Sequence, residues 1–138
     1  MILNIQFNIY AFWLLAMFIL PVTSFASASQ PAPSGDPVMG RSVYDRCMGC
    51  HSLQGHRTGP KHCGLFGRKA GSAKGFDYSD AMRKSDIVWN LKTLDAFLSS
   101  PFKIIPGTSM GYGGVWNEKD RANLIAYLQL ASSSAECN

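Results

Sequence analysis

The chain has 138 residues, which suits one compact domain and leaves little room for a second. Hydrophobic residues make up 46% and aromatics 12%, so a packed core is available and a chain disordered throughout is excluded. The formal charge of +4 comes without any basic run interleaved with aromatics, which argues against a nucleic-acid partner.

Residues 9–20, IYAFWLLAMFIL, are unbroken apolar sequence. The run is shorter than the about 20 residues that cross a bilayer. Pro21 and small residues follow, among them Ala26-Ser27-Ala28, which fits a small-x-small cleavage site. Residues 1–28 therefore have the layout of a secretory signal, although no Lys or Arg precedes Arg41. Cleavage leaves an exported domain, whereas retention would make the segment a membrane anchor. Every charged residue lies beyond it, so the domain keeps its +4 charge, an excess that can steer a protein towards an acidic surface.

Residues 29–35 read as a flexible linker, small, polar and without periodicity. Asp36 as N-cap and Pro37 at the first helical position then start a helix, with Val38, Tyr44 and Cys47 on or near one face. Gly40 would let a second helix come close. Residues 49–76 show no period and many glycines, and a loop of that length usually wraps something or carries function. A short helical patch is expected over residues 79–84. A better helix starts after Asn90, with Leu94, Phe97 and Leu98 at i, i+3 and i+4, and stops before Pro101. Residues 106–114, PGTSMGYGG, form a second glycine-rich loop. The last helix is capped by Asn117, with Asp120 placed as in a capping box, and Leu124, Tyr127, Leu128 and Ala131 make its buried stripe. Residues 132–138 form a tail with no stripe of their own. No segment alternates long enough for a sheet, so the fold class is all-α, small and loop-rich. A domain with this much loop needs extra stabilisation, which a buried prosthetic group would supply.

Cys47-Met48-Gly49-Cys50-His51 is C-x-x-C-H, the attachment signature for c-type haem. Two thiols about one helical turn apart can each add to a vinyl group of one porphyrin, and the adjacent His51 then offers its imidazole to the iron. A thioredoxin-like pair would want a βαβ pattern, which is missing. A zinc site would want a second Cys or His pair at finger spacing, and His56, His62 and Cys63 supply none. An electron carrier needs a sixth iron ligand, and Met/His ligation raises the potential. Met39, Met48, Met82 and Met110 are the candidates beyond the signal. Met110, in the glycine-rich loop that can approach a flat cofactor, is the expected ligand.

Gly59-Pro60, residues 64–68 (GLFGR), residues 75–78 (GFDY), Trp89, residues 106–110 (PGTSM) and residues 124–128 (LIAYL) follow one another as in mitochondrial-type cytochrome c. The resemblance runs from about Gly35 to Ala131, and the spacing before Cys47 is similar to the bacterial branch. It implies a cytochrome c domain over residues 36–131, holding one haem c through Cys47 and Cys50. By resemblance Pro60 would accept from the ring of His51, Tyr78 and Trp89 would donate to one propionate with Arg68 near it, and Thr108 would hold the other. His56 would tie a loop near Lys74, and Gly40, Tyr44, Leu124 and Tyr127 would join the first and last helices. The resemblance implies a monomeric periplasmic one-electron carrier and no enzyme. Its donor would be a quinol–cytochrome c reductase and its acceptor a terminal oxidase or reductase. The runner-up is a haem peroxidase or a ligand-binding cytochrome with an open sixth site. Several positions depart from the family pattern: Phe97 for a common Tyr, Met82 for a common Asn, His62 for a Leu that packs near the haem with Cys63 after it, and Phe102 and Ser109 where Lys is common. Phe97 and Met82 would make the pocket beside Met110 drier. In an exported protein of this fold, Cys63 and Cys137 are the pair left to form a disulfide.

Overall fold

A computed structural model describes residues 34–137. The expected signal over residues 1–28 and most of the linker over residues 29–35 lie outside the described residues. The described residues form five α-helices: α1 (Pro37–Tyr44), α2 (Asp80–Lys84), α3 (Leu91–Ser99), α4 (Pro101–Ile104) and α5 (Glu118–Ala131). Among the described residues the only β pairing is an isolated bridge between Lys69 and Val88, so the architecture is helical and loop-rich.

α1 starts where Asp36 and Pro37 require it, with Asp36 Oδ1 accepting from Val38 N at 2.8 Å. Its buried face is Gly40, Val43 and Tyr44, at i, i+3 and i+4. Val38, expected on that face, is 77% exposed. The helix also ends at Tyr44, three residues short of Cys47, and turns carry residues 45–50. Sequence periodicity overshot because the Cys47 N–H still bonds the Tyr44 carbonyl at 2.8 Å, which preserves a helical spacing without a helix.

α1 packs chiefly on α5. A Cβ on Gly40 would overlap the Asn123 carbonyl, so only glycine lets the two backbones approach this closely. Tyr44 lies against Tyr127 with ring centroids 5.0 Å apart, and Leu124 is fully buried. Asp36 N donates to Asn123 Oδ1 at 2.8 Å, and Gly35, the last residue of the expected linker, packs on the α5 backbone at Ala122. α5 is buried more widely than its expected stripe: Arg121, Asn123, Ile125 and Ala126 are also inside, and Tyr127 is half-buried.

Asn117 caps α5 by accepting from Asp120 N at 2.9 Å, but the Asp120 carboxylate turns to Arg46, 3.2 Å away, rather than closing a capping box. The complete capping box belongs to α3, where Asn90 and Thr93 bond reciprocally at 2.9 Å. α3 is tied to α5 by Arg121, whose Nε donates to Asp95 at 2.6 Å and whose terminal nitrogen donates to the Val115 carbonyl at 2.9 Å. Beyond α5 a short 3-10 turn (Ala135–Cys137) carries Cys137 to Cys63, where a disulfide joins Cα atoms 5.2 Å apart. Gly64 N bonds the Ser132 carbonyl at 2.8 Å and Gln54 bonds that of Glu136 at 2.6 Å, so the tail is fastened to the long loop.

Two outcomes are expected from this packing. Gly40→Ala should cost about 1–3 kcal/mol or more by forcing α1 off α5, read as a lower denaturant midpoint. Non-reducing peptide mapping should give one linked pair joining Cys63 and Cys137. Closure of a 74-residue separation contributes about 4 kcal/mol in the chain-entropy account, so reduction should lower the melting temperature by several degrees. Two free thiols at these positions would refute the pairing.

Candidate haem-binding cavity

The residues of C-x-x-C-H are arranged by a single turn after α1. Cys50 N and His51 N both bond the Cys47 carbonyl, at 3.0 and 2.9 Å, which sets the two thiols and the imidazole on one short arc. Cys47 is half-buried, Cys50 is exposed and neither is in a disulfide. His51 is buried, and its Nδ1 lies 2.8 Å from the Pro60 carbonyl. A carbonyl only accepts, so Nδ1 carries the proton and the lone pair is left on Nε2. Burial pushes the His51 pKa down, against an upward pull from the Pro60 bond, which keeps the ring neutral and able to ligate. The Gly59 backbone runs so close to this ring that a Cβ would collide with Cε1, Nε2 and Nδ1. Gly59 is held in place by its own N–H, which bonds the Cys50 carbonyl at 2.7 Å.

These residues open onto a cavity of about 450 Å³ with a largely apolar wall. All nine site residues expected from sequence line it: Cys47, Cys50, His51, Pro60, Arg68, Tyr78, Trp89, Thr108 and Met110. The buried face of α3 (Leu94, Phe97, Leu98), Met82 of α2, and Leu124 and Leu128 of α5 complete the apolar part. Trp89 packs on Phe97 with centroids 5.1 Å apart. Phe76 meets Tyr78 edge-on at 4.7 Å. Met110 is half-buried in the glycine-rich loop, and its N–H bonds Thr108 Oγ1 at 3.2 Å.

Arg68 shows what the cavity lacks. Its terminal nitrogens donate to the Cys63 and Lys61 carbonyls at 2.9 and 3.0 Å, but its buried Nε has no partner. Burial lowers the Arg68 pKa and raises that of Tyr78, each partly offset by the other. An acidic group entering here would satisfy the guanidinium, and a flat apolar body would fill the rest. The residues therefore fit haem, with its apolar macrocycle and propionates. Among the described residues no three His, Cys, Asp or Glu side chains converge as metal ligands, so a zinc site finds no donor set.

The family profile described as Cytochrome c matches residues 38–132. The chain belongs to the cytochrome c family. It is 46% identical over 99 residues to a cytochrome c of Stellaria longipes, covering 69% of this chain and 92% of the relative. Against a cytochrome c2 of Rhodomicrobium vannielii it is 43% identical over 98 residues, covering 69% and 78%. Cytochrome cH from Methylobacterium extorquens shares the fold with a TM-score of 0.67 and 36% identity, over 69% of this chain and 98% of that one. Membership establishes a class I cytochrome c, a haem electron carrier and not an enzyme, with haem c attached through Cys47 and Cys50. Among the described residues no helix is long and apolar enough to cross a membrane.

One side chain of this cytochrome escaped the site residues expected from sequence. His62 lines the cavity and stacks on His51, with centroids 4.4 Å apart and planes 18° from parallel. Burial, then His51 and Arg68, push its pKa down to about 3, so it is uncharged at neutral pH. The sequence signal was its departure from the family pattern, a histidine where a Leu commonly packs near the haem. His56, by contrast, sits as the resemblance implied, with Nε2 2.8 Å from the Lys74 carbonyl.

Gly59→Ala is expected to displace the His51 ring. The check is haem content per chain after expression, which should fall well below that of the parent, with a cost of about 1–3 kcal/mol in any holoprotein recovered. Undiminished haem content would show that the ring is not held by this backbone contact.

Proposed function

We propose that this cytochrome is a periplasmic one-electron carrier whose iron is held by His51 and Met110. It would take electrons from a quinol–cytochrome c reductase and pass them to a terminal oxidase or reductase of a respiratory chain. Residues 1–28 would act as the export signal, and the domain would work as a monomer. The observation that carries the ligand reading is the convergence of His51, with Nδ1 engaged by Pro60, and Met110 on one apolar cavity.

Bound haem supplies a one-electron centre, and no substrate bond is made or broken. The chain's own residues do the rest. The Pro60 carbonyl holds the proton on Nδ1, which directs the His51 lone pair and raises its basicity. The glycine-rich loop offers the Met110 thioether, with Thr108 Oγ1 restraining the backbone at Met110 N. Trp89, Tyr78 and Thr108 are proposed as propionate donors, and the unpartnered Arg68 Nε supports a counter-charge role for that residue. Phe97 and Met82, which line the same cavity as Met110, would leave fewer polar groups beside it to hold water. At the surface, Phe102 is half exposed next to Lys103, and Arg46 is already paired with Asp120. An acceptor would thus meet a mixed apolar and basic rim, where charge governs encounter rate more than affinity.

Optical spectra of the oxidised and reduced protein are expected to show low-spin iron with a methionine–iron band. High-spin iron without that band would overturn the reading in favour of an open sixth site. Met110→Ala should keep haem attached while admitting carbon monoxide or azide. A variant that kept the band would assign the ligand to Met82 or Met39. Phe97→Tyr combined with Met82→Asn should change both the reduction potential and the pH of ligand exchange, since polarity around the ligand tunes the iron. Titration of both quantities checks it, and no movement in either would place these positions away from the ligand.

A further inference from the structure

We infer that His62 is a positioning residue for His51: its imidazole, lying flat against the His51 ring, fixes the rotation of that ring about its bond to iron. The inference rests on the reading of His51 as an iron ligand.

An imidazole that binds through Nε2 retains one soft motion, rotation about the bond it makes. The Pro60 carbonyl engages Nδ1 at the edge of the ring, so it fixes the tautomer and resists turning at one edge atom. A flat group against the ring face opposes rotation directly, because turning drives ring atoms into it. The His62 ring provides such a surface, 4.4 Å away and 18° from parallel.

His62 can serve because it is itself held from several directions. Its Nδ1 is 3.1 Å from the hydroxyl of Tyr44, which is buried in α1 against Tyr127 of α5. Its backbone N–H bonds the Ser52 and Leu53 carbonyls, both at 3.1 Å. The next residue, Cys63, bonds the Leu53 carbonyl at 2.8 Å and is bridged to Cys137 beyond α5. The stacked ring is thus braced by α1, by the end of α5 and by the strand of loop that leads away from the attachment motif. An aliphatic side chain at position 62 would fill the space but present no flat face and no atom for the Tyr44 hydroxyl.

Rotation of an axial imidazole sets the splitting of the low-spin ferric iron's orbitals, which electron paramagnetic resonance and the spread of haem-methyl proton shifts both report. The test uses ferric holoprotein of the parent, His62→Leu and His62→Phe. The Leu variant should shift the g values and the methyl spread, and the Phe variant, which keeps a flat ring without nitrogens, should restore both. A Leu variant with parental spectra, or a Phe variant displaced as far as Leu, overturns the inference. If the Leu variant does not mature, Tyr44→Phe decides alone. Loss of that one hydroxyl should move the same signals in the same direction, and parental spectra would refute the role. Failure of the underlying ligand reading is distinguishable, because the parent itself would then lack a low-spin histidine–methionine spectrum.

Discussion

The hydrogen bond from His51 Nδ1 to the Pro60 carbonyl is the constraint on which the rest of the site depends. It decides which nitrogen keeps a lone pair, and it does so with backbone from a segment that has no regular structure. Such a segment cannot borrow rigidity from a helix or sheet, so individual bonds must supply it. The Gly59 N–H bonds Cys50, Cys63 N bonds Leu53, and Arg68 spans to the Lys61 and Cys63 carbonyls. His56 closes the outer turn on Lys74. The loop is long because it must encircle a flat group, and each of these contacts fixes one part of the circuit.

The attachment motif was legible because its chemistry is confined to five consecutive residues, where spacing alone carries the geometry. α3 and α5 were legible for a related reason: caps at Asn90 and Asn117 and apolar residues at helical spacing act locally. What could not be read depends on distant partners. Val38 is apolar and in register, yet it is exposed because α5 covers the Gly40, Val43 and Tyr44 face alone. Asp120 has capping-box spacing, but Arg46 from another part of the chain claims its carboxylate. The burial of Arg121 depends on Asp95 and the Val115 carbonyl, neither of which a single-sequence pattern assigns to it. His62 is the same case at the site itself, since its meaning arises only when Tyr44 and His51 are both brought against it.

Two arginines, Arg121 buried and Arg68 half-buried, separate structure from cofactor binding. Arg121 has a carboxylate and a carbonyl as partners, so its charge is answered within the protein. Arg68 has two carbonyls, no carboxylate and an orphaned Nε. Removing a guanidinium from water without an anion is costly, and a protein that needed only packing here would do better with an apolar side chain. The carboxylate of a haem propionate would be the natural complement. In that proposed role Arg68 would favour the bound state over the empty one, and cofactor binding and folding would become a single problem.

Tyr44 is where that problem joins the helical frame. Its ring is part of the contact between α1 and α5, and its hydroxyl is the handle on His62. Burial, reinforced by Tyr127, pushes its pKa up to about 12, so the hydroxyl keeps its proton and the bond to His62 at physiological pH. Gly40 lets α1 approach α5, Tyr44 packs at that contact, and its hydroxyl meets the His62 ring that stacks on His51. A contact between helix backbones thereby reaches His51, the proposed iron ligand, through two side chains. Changes at the α1–α5 interface should thus bear on the His51 ring as well as on stability, because Tyr44 belongs to both contacts.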